Sequence, residues 1–443
     1  MARLFGTDGI RGTYGRDLTP ELTRELGGAA VRVLARAHDR PPTLLIGRDT
    51  RPSGRALEDA LVQGIVEAGG DAVLAGVVPT PAVAFLVPGL GIESGIVISA
   101  SHNQPQDNGI KFFDGRGFKL SDQLERQIED EIAAGGGARI PQGEVRALPP
   151  DAPGYLDHVV GVADRSLEGM RVVVDCANGA ASAFAPDVMR KLGADVVAIN
   201  AEADGSRINV GSGALHPEVV AVAVVEHGAH AGVAHDGDAD RALFADEEGR
   251  VVDGDQVLAA CAIEMKDRGT LTRDTVVATV MANTGFHRAM DEHGIGVLSA
   301  AVGDRYVLER MLEHDLALGG EQSGHVIFLD HATTGDGLIT AVRFLSLAAA
   351  RDVSVGELAS VMRRFPQVLI NVEVADTERL SGAEEVWEAV RAGEAQLDGT
   401  GRVLVRASGT EPLVRVMVEA ETEEVARGHA EALAGIVARE LAR

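Results

Sequence analysis

The sequence predicts the α/β class, with several α/β units in series and a smaller α+β unit at the C-terminus. Three observations predict it. Helix and strand signals alternate along the first roughly 130 residues, the rhythm of βαβ units around a mostly parallel sheet. Fresh α/β units open with the strand Arg171 to Asp175 and again near Val252. From about Pro366 the pattern changes to hairpin strands and two helices.

The elements follow in order. Thr19 and Pro20 read as an N-cap and first helical residue, followed by Leu22, Leu26, Ala30 and Val33 on one face. Thr43 to Ile46 is a buried strand that ends at GRDTRPSG. Ala56 to Ala68 is helical and stops at Gly69 and Gly70. Ala72 to Val78 is the next strand. The stretch Ala72 to Ile92 carries no charge and is long enough to span a bilayer. Pro79, Pro81 and Pro88, with Gly76, Gly89 and Gly91, break it into a strand, a turn, a short helix and a loop of a soluble core. Gly95 to Ile98 is a buried strand, and Ser99 to Lys111 (SASHNQPQDNGIK) reads as one polar loop after it. Ala133 to Pro153, rich in Gly and Pro, is the linker. Further on come a hairpin-like pair, Ala231 to Ala234 with Ala242 to Ala245, and a strand Thr275 to Val280. The last unit has a strand Leu369 to Val374, a helix Glu384 to Leu397, strands Arg402 to Ala407 and Val414 to Glu419, and a helix from Glu423. DCANGAAS and VMANTGF each follow a strand and share Ala-Asn before a glycine, a hint of internal repetition.

Composition narrows the function. The 443 residues are 45% hydrophobic and 24% charged, ordinary for globular protein. A formal charge of −26 argues against nonspecific binding to nucleic acid or to anionic membranes. An anionic ligand would therefore need local basic groups that outweigh the global field. Cys176 and Cys261 give neither a disulfide framework nor a four-cysteine zinc site, and a reducing cytoplasm is the expected setting. MARLFGTDGIRG lacks the apolar core of a signal peptide.

Four polar clusters carry the chemistry. The first gathers Ser101, His102, Asn103, Asp107, Asn108 and Lys111 after a buried strand, where a serine hydroxyl could be activated. The second is HDGDADR. Asp236, Asp238 and Asp240 repel one another unless a cation neutralises them, and oxygen-only ligands suit Mg²⁺ or Ca²⁺. An EF-hand would need Gly where Arg241 stands and helices on both sides, so Mg²⁺ is the better reading. A solvated acidic turn is the plainer alternative. Arg241 fits a contact to substrate oxygens or a salt bridge to its neighbours. The third is GGEQSGH, in which Glu321 and Ser323 offer an acceptor and a hydroxyl to a polyol, and His325 reads as structural. The fourth is RASGTEPLVR, where Arg406, Ser408, Gly409, Thr410 and Arg415 suit a phosphate, or a plain turn with solvated arginines. Thr7, Asp8 and Arg11, and Arg48, Asp49 and Arg51, either line a cleft or knit loops together.

FGTDGIRG, SASHN with DNGIKFF, DGDADR, VGDRY, GGEQSGH with LDHATTGDG, and RASGTEP run in this order along almost the whole chain. Together they resemble the α-D-phosphohexomutase superfamily. The resemblance implies four domains around a central cleft, at 1–150, 151–251, 252–366 and 367–443. Three would be similar α/β domains with mixed sheets, and the fourth a smaller α+β phosphate-binding domain. It implies that Ser101 carries a phosphoryl group and that Asp236, Asp238 and Asp240 bind Mg²⁺ with the Ser101 phosphate. It assigns sugar contacts to Glu321 and Ser323, and a distal phosphate to Arg406, Ser408, Gly409, Thr410 and Arg415. Lys111 and Arg11, with His102 beside the serine, fall near the reacting group, Lys111 as an acid/base or only as a cation.

The implied activity is transfer between O6 and O1 of a hexose phosphate through a 1,6-bisphosphate, with a hexose 1,6-bisphosphate as activator. The surroundings of GEQSGH favour glucosamine 6-phosphate and a place in cell-wall precursor synthesis. Glucose and mannose phosphates are the alternative. The expected partners are the phosphosugar and, in a homodimer, a second copy; no nucleic acid or membrane is expected. A metal-dependent phosphatase and a catalytically silent sugar-phosphate sensor are the rivals from other classes. Two positions depart from the pattern: Gln104 stands where proline is common after SHN, and His235 where an apolar residue is expected.

Overall fold

Apolar triplets such as Leu44–Ile46 and Val172–Val174 are fully buried, as strands covered on both faces must be. The computed structural model describes residues 3–6, 8–38, 40–135, 142–148, 154–408 and 413–441. The chain divides into two compact units, Met1–Met281 with Gly294–Val361, and Ala282–His293 with Met362–Arg443.

The first sheet is built from β1 (Ile10–Thr13), α1 (Pro20–His38), β2 (Thr43–Arg48), α2 (Gly54–Glu67), β3 (Asp71–Val77), α3 (Thr80–Leu90), β4 (Ser94–Ile98), β5 (Asp107–Asp114), α4 (Asp122–Ala133) and β6 (Val145–Ala147). The second follows with α5 (Tyr155–Gly161), β7 (Arg171–Asp175), α6 (Ala185–Lys191), β8 (Asp195–Ile199), α7 (Pro217–His227), β9 (Ala231–His235), β10 (Ala242–Ala245) and β11 (Val251–Val252). Next come α8 (Gly254–Asp267), β12 (Thr275–Thr279), α9 (Thr284–Glu292), β13 (Gly296–Ala300), α10 (Asp304–His314), β14 (Leu318–Gly320), β15 (Val326–Phe328), α11 (Gly337–Arg351) and α12 (Val355–Ala359). The chain ends with β16 (Gln367–Glu373), α13 (Glu384–Leu397), β17 (Arg402–Ala407), β18 (Leu413–Glu419) and α14 (Glu423–Leu441).

One strand order occurs three times. β2 lies between β3 and β4, parallel to both, and β5 runs antiparallel to β4. β7 lies likewise between β8 and β9, with β10 antiparallel to β9. β12 lies between β13 and β14, with β15 antiparallel to β14. The repetition that two Ala-Asn segments hinted at is thus a repetition of topology. Its consequence is positional: the same hairpin of each sheet, β4–β5, β9–β10 and β14–β15, carries the serine, aspartate and GEQSGH clusters respectively.

Two expectations are corrected. Ser99 to Lys111 is not one loop, because Asp107 to Lys111 belongs to β5. That strand sits between β1 and β4, so its polar residues are a paired strand despite their composition. The stretch Ala133 to Pro153 is not all linker, because Val145–Ala147 adds to the sheet edge parallel to β3; residues 136–141 and 149–153 lie outside the described residues. Strands flank the aspartate loop, which removes the EF-hand alternative. Among the described residues no helix is long and apolar enough to cross a membrane. The uncharged stretch is β3, a turn at Pro79, and α3 of 11 residues.

In the second unit β18 is the central strand of an antiparallel sheet, with β16 and β17 on its two sides. Val414, Val416 and Val418 alternate inward with α13 and α14 residues such as Val386, Ala426 and Val437. Glu419, fully buried, accepts from the N–H and hydroxyl of Thr284 at the start of α9 and from Arg402.

Candidate active site

The serine loop leaves β4 at a buried strand end and turns sharply. Ser101 takes φ 51°, and Ala239 at the centre of the aspartate loop takes φ 58°, the left-handed region that non-glycine residues avoid. Such strain persists only where surrounding bonds over-determine it, and it gathers at working sites. Ser101 is 1% exposed, and its Oγ donates to Asp236 Oδ2 at 2.6 Å.

Asp236, Asp238 and Asp240 are all buried, with carboxylate oxygens within 4.8 Å of one another. Burial, followed by Asp240 and Asp238, drives the Asp236 carboxyl well above the usual range. Burial would raise Asp240 too, but Lys111, His325 and Arg241 outweigh it and hold that group ionised. Asp238 is tied by Thr80, which donates its hydroxyl to Oδ2 at 2.6 Å and its N–H to the carbonyl at 2.9 Å. Asp238 Oδ1 and Asp240 Oδ1 are buried and accept no hydrogen bond. Three clustered carboxylates, two of them with a buried oxygen that accepts no hydrogen bond, fit a hard divalent cation.

Lys111, on β5, is 2% exposed and reaches this cluster. Its Nζ lies 3.1 Å from Asp238, 3.0 Å from Asp8 and 3.8 Å from Asp240. Arg11 on β1 pairs with Asp8 and donates to Asn103 Oδ1 at 3.3 Å. His102 Nδ1 is 3.4 Å from Ser101 Oγ. Burial, with Arg241 and Arg11 nearby, lowers its pKa to about 4, so it is neutral at pH 7. Arg241 lies 3.8 Å from Asp240 and is a fifth exposed. His235, the unexpected residue before the loop, is neutral for the same reason of burial, its pKa lowered to about 4; its Nδ1–H donates to the Arg241 carbonyl at 3.0 Å. It is structural.

The third hairpin joins the same site. Glu321 accepts from the Gly303 N–H at 3.1 Å, and Gly303 sits at φ 131°, open only to glycine. The Ser323 hydroxyl is buried and has no hydrogen-bond partner. His325, read from sequence as structural, faces Asp240 at 3.7 Å and Asp304 at 3.9 Å. Burial lowers its pKa and those carboxylates raise it further, while the Gly335 N–H donates to Nε2 at 3.2 Å and favours the neutral ring. A side chain at Gly335 would put its Cβ 2.3 Å from that ring. Lys119 bridges Asp8 and Asp304. Sequence reasoning missed His325, Lys119, Asp304 and Thr80. VGDRY was legible as a segment, but nothing local marked Asp304 as a neighbour of Asp240.

Arg406 and Arg415 belong to the second unit, on β17 and β18, where they stand directly opposite in register. Like charges so placed repel. Burial and the Arg415 charge both lower the Arg406 pKa, so an anion here would relieve them. The Ser408 N–H closes onto the Leu413 carbonyl at 2.9 Å. Gly409 and Thr410, like Thr7, lie outside the described residues.

The comparisons agree along the whole chain. Phosphoglucomutase/phosphomannomutase alpha/beta/alpha domains I, II and III match residues 2–138, 153–249 and 253–365, and the C-terminal domain of that family matches 369–436. The chain belongs to the phosphoglucomutase/phosphomannomutase family. Phosphoglucosamine mutase of Parafrankia sp. is 51% identical over 467 residues, covering 100% of both chains. Phosphoglucosamine mutase of Frankia casuarinae is 52% identical, covering 99% of this chain and 98% of its own. A phosphoglucomutase/phosphomannomutase family protein of Burkholderia thailandensis is 25% identical with TM-score 0.82, covering 99% of this chain and 97% of its own. As a member of the phosphohexomutase family the chain is an enzyme of the isomerase class, with the α/β fold of three mixed-sheet domains and a small C-terminal sheet-and-helix domain.

One phosphohexomutase segment carries a pH prediction. Asp336 caps α11: it accepts from the Leu338 and Ile339 N–H groups at 2.9 and 3.0 Å and from the Tyr155 hydroxyl at 2.9 Å. Burial raises its pKa to about 6. A carboxyl with a folded pKa above its unfolded value of about 4 binds its proton more tightly when folded. Its stabilising contribution is therefore full below about pH 4 and is lost as pH rises through 6. Asp336→Asn keeps the capping acceptor and removes the titration. Relative to wild type, its unfolding free energy in urea should improve by about 1–2 kcal/mol between pH 5 and 7.5. A flat difference across that range would contradict the assignment.

Proposed function

We propose that the chain interconverts glucosamine 6-phosphate and glucosamine 1-phosphate through a phosphorylated Ser101 and a 1,6-bisphosphate. The observation that carries this reading is the Ser101 hydroxyl 2.6 Å from Asp236, in a cluster of three buried carboxylates backed by Lys111. A phosphoryl group on that oxygen would meet oxygen donors and cations together. The sugar assignment rests on full-length relatives named phosphoglucosamine mutase at about half identity.

In the first half-reaction the bond from phosphorus to Ser101 Oγ breaks as a bond to sugar O1 forms. The O1 proton is lost and Ser101 Oγ regains one. In the second half-reaction the bond from the 6-phosphorus to sugar O6 breaks as a bond to Ser101 Oγ forms; Oγ loses its proton, O6 gains one, and glucosamine 1-phosphate leaves. Asp236, Asp238 and Asp240 would hold Mg²⁺, which when bound neutralises charge on the transferring group. Lys111 and Arg11 add fixed positive charge there, where stabilisation of the transferring phosphoryl group matters most. His102, beside Ser101 Oγ, is available as a neutral proton acceptor. Glu321, Ser323 and Arg241 contact the sugar and its oxygens. Arg406, Ser408, Gly409, Thr410 and Arg415 form a phosphate subsite. We assign the four functions to domains at 1–150, 151–251, 252–366 and 367–443, in a cytoplasmic enzyme primed by a hexose 1,6-bisphosphate.

The test compares glucosamine, glucose and mannose 6-phosphates as substrates with Mg²⁺ and a hexose 1,6-bisphosphate, counting free phosphate in parallel. The expected result is a clear kcat/KM preference for the glucosamine ester, activity lost in EDTA and restored by Mg²⁺, and little free phosphate. A preference for glucose or mannose overturns the sugar choice. Free phosphate released at the rate of turnover makes the protein a phosphatase instead.

A further inference from the structure

Arg51, which sequence alone left between lining a cleft and knitting loops, has no exposed side-chain surface. Its guanidinium is enclosed by the serine loop. Nη2 donates to the carbonyls of Ser101 at 2.9 Å and Asn103 at 2.8 Å, and Nη1 to those of Asp107 at 2.9 Å and Gln104. Nε donates to the equally buried Asp49 at 2.9 Å. Asn209, from the second mixed-sheet segment, donates Nδ2 to the same two carbonyls, Ser101 at 2.8 Å and Asn103 at 3.0 Å. On the other side, Ser99 Oγ donates to Asp49 at 2.6 Å and accepts the Ser101 N–H at 2.8 Å. Both backbone polar groups of Ser101 are thus fixed, at a residue whose φ of 51° is unfavourable. Gly237 of the aspartate loop packs on the same point, since a Cβ there would fall 2.7 Å from the Ser101 carbonyl and 2.9 Å from Asn209 Nδ2.

We propose that Arg51 and Asn209 are positioning residues, a two-sided clamp that holds the Ser101 backbone in its left-handed turn and so aims Oγ at the aspartate cluster. The inference rests on Ser101 being the phosphoryl carrier. Asp49 neutralises Arg51, so the clamp acts through geometry rather than through charge on the phosphoryl group. It therefore governs the transfer step and leaves sugar binding alone. A misplacement of about 1 Å at a reacting atom can cost on the order of 100-fold in rate.

The experiment measures kcat, KM, thermal midpoint and, by intact mass, the rate at which Ser101 takes a phosphoryl group from glucose 1,6-bisphosphate. Asn209→Ala should lower kcat and the labelling rate together by about tenfold or more, with KM within about threefold of wild type. Arg51→Lys, which cannot reach four carbonyls, should lower both by about 100-fold. A folded Asn209→Ala with wild-type kcat and labelling rate overturns the clamp; should Arg51→Lys fail to fold, Asn209→Ala alone decides. The underlying reading fails separately: wild type that takes no label at Ser101 refutes the phosphoserine, and wild type that is labelled yet ignores glucosamine 6-phosphate refutes only the sugar.

Discussion

Ser101→Ala will abolish mutase turnover, by on the order of 10⁴-fold or more, while the protein stays folded. The size follows from the role: without Oγ there is no atom to carry the phosphoryl group between the two sugar positions. The retained fold follows from the surroundings. The variant loses the hydrogen bond to Asp236, worth about 1 kcal/mol. The bonds that shape the turn are to the backbone N–H and carbonyl of residue 101, which alanine keeps. Turnover by hexose phosphate assay, circular dichroism and intact mass after incubation with a bisphosphate check this together. Activity above about 1% of wild type, or a phosphoryl adduct that persists in the variant, would sink the assignment of Ser101.

The second large effect is expected at Lys111, and it falls on stability as well as rate. The ammonium is 2% exposed and lies within 3.1 Å of both Asp238 and Asp8. Lys111→Met removes the cation and leaves the buried Asp238 carboxylate without its ion pair, while Asp8 keeps Arg11 and Lys119; removing one partner of a buried pair typically costs about 3–5 kcal/mol. Loss of a fixed charge beside the transferring group should lower kcat by about 10²–10³-fold in addition. Burial by itself would lower the Lys111 pKa; Asp238, Asp8 and Asp240 overcome it and raise the group far above its usual value. Of the two roles the sequence left open for this residue, the cation is the one this geometry supports. Urea unfolding of Lys111→Met beside wild type is the check, and equal midpoints would refute the account.

The two variants also separate local chemistry from long-range placement. Ser101 was legible because SASHN is a short cluster after an apolar strand, and the aspartates because three carboxylates at alternate positions demand a cation. Both signals are contained within a few residues. Lys111 was legible as a basic residue in the same segment, but its partner set was not. Asp8 and Asp238 come from other parts of the chain and meet it only because β1 and β4 flank β5 and the aspartate hairpin packs against them.

The sequence by itself determined the α/β class, the strands β2, β3, β4, β7, β9, β10 and β12 to within about two residues, the helices and strands of the last unit, and the segments that supply the candidate site. These depend on hydrophobic period, turn residues and the chemistry of adjacent side chains, all of which are local. Three things were decided only by the tertiary structure. Asp107 to Lys111 is a strand, because pairing on both sides satisfies its backbone whatever its side chains are. His325 is a site residue, because the β14–β15 hairpin brings it beside Asp240, 85 positions earlier in the chain. Arg51 sits at the centre of the serine loop, because a buried guanidinium must find acceptors and the carbonyls of that loop are the ones the fold supplies. Each depends on which distant segments meet, and that is set by the thrice-repeated strand order.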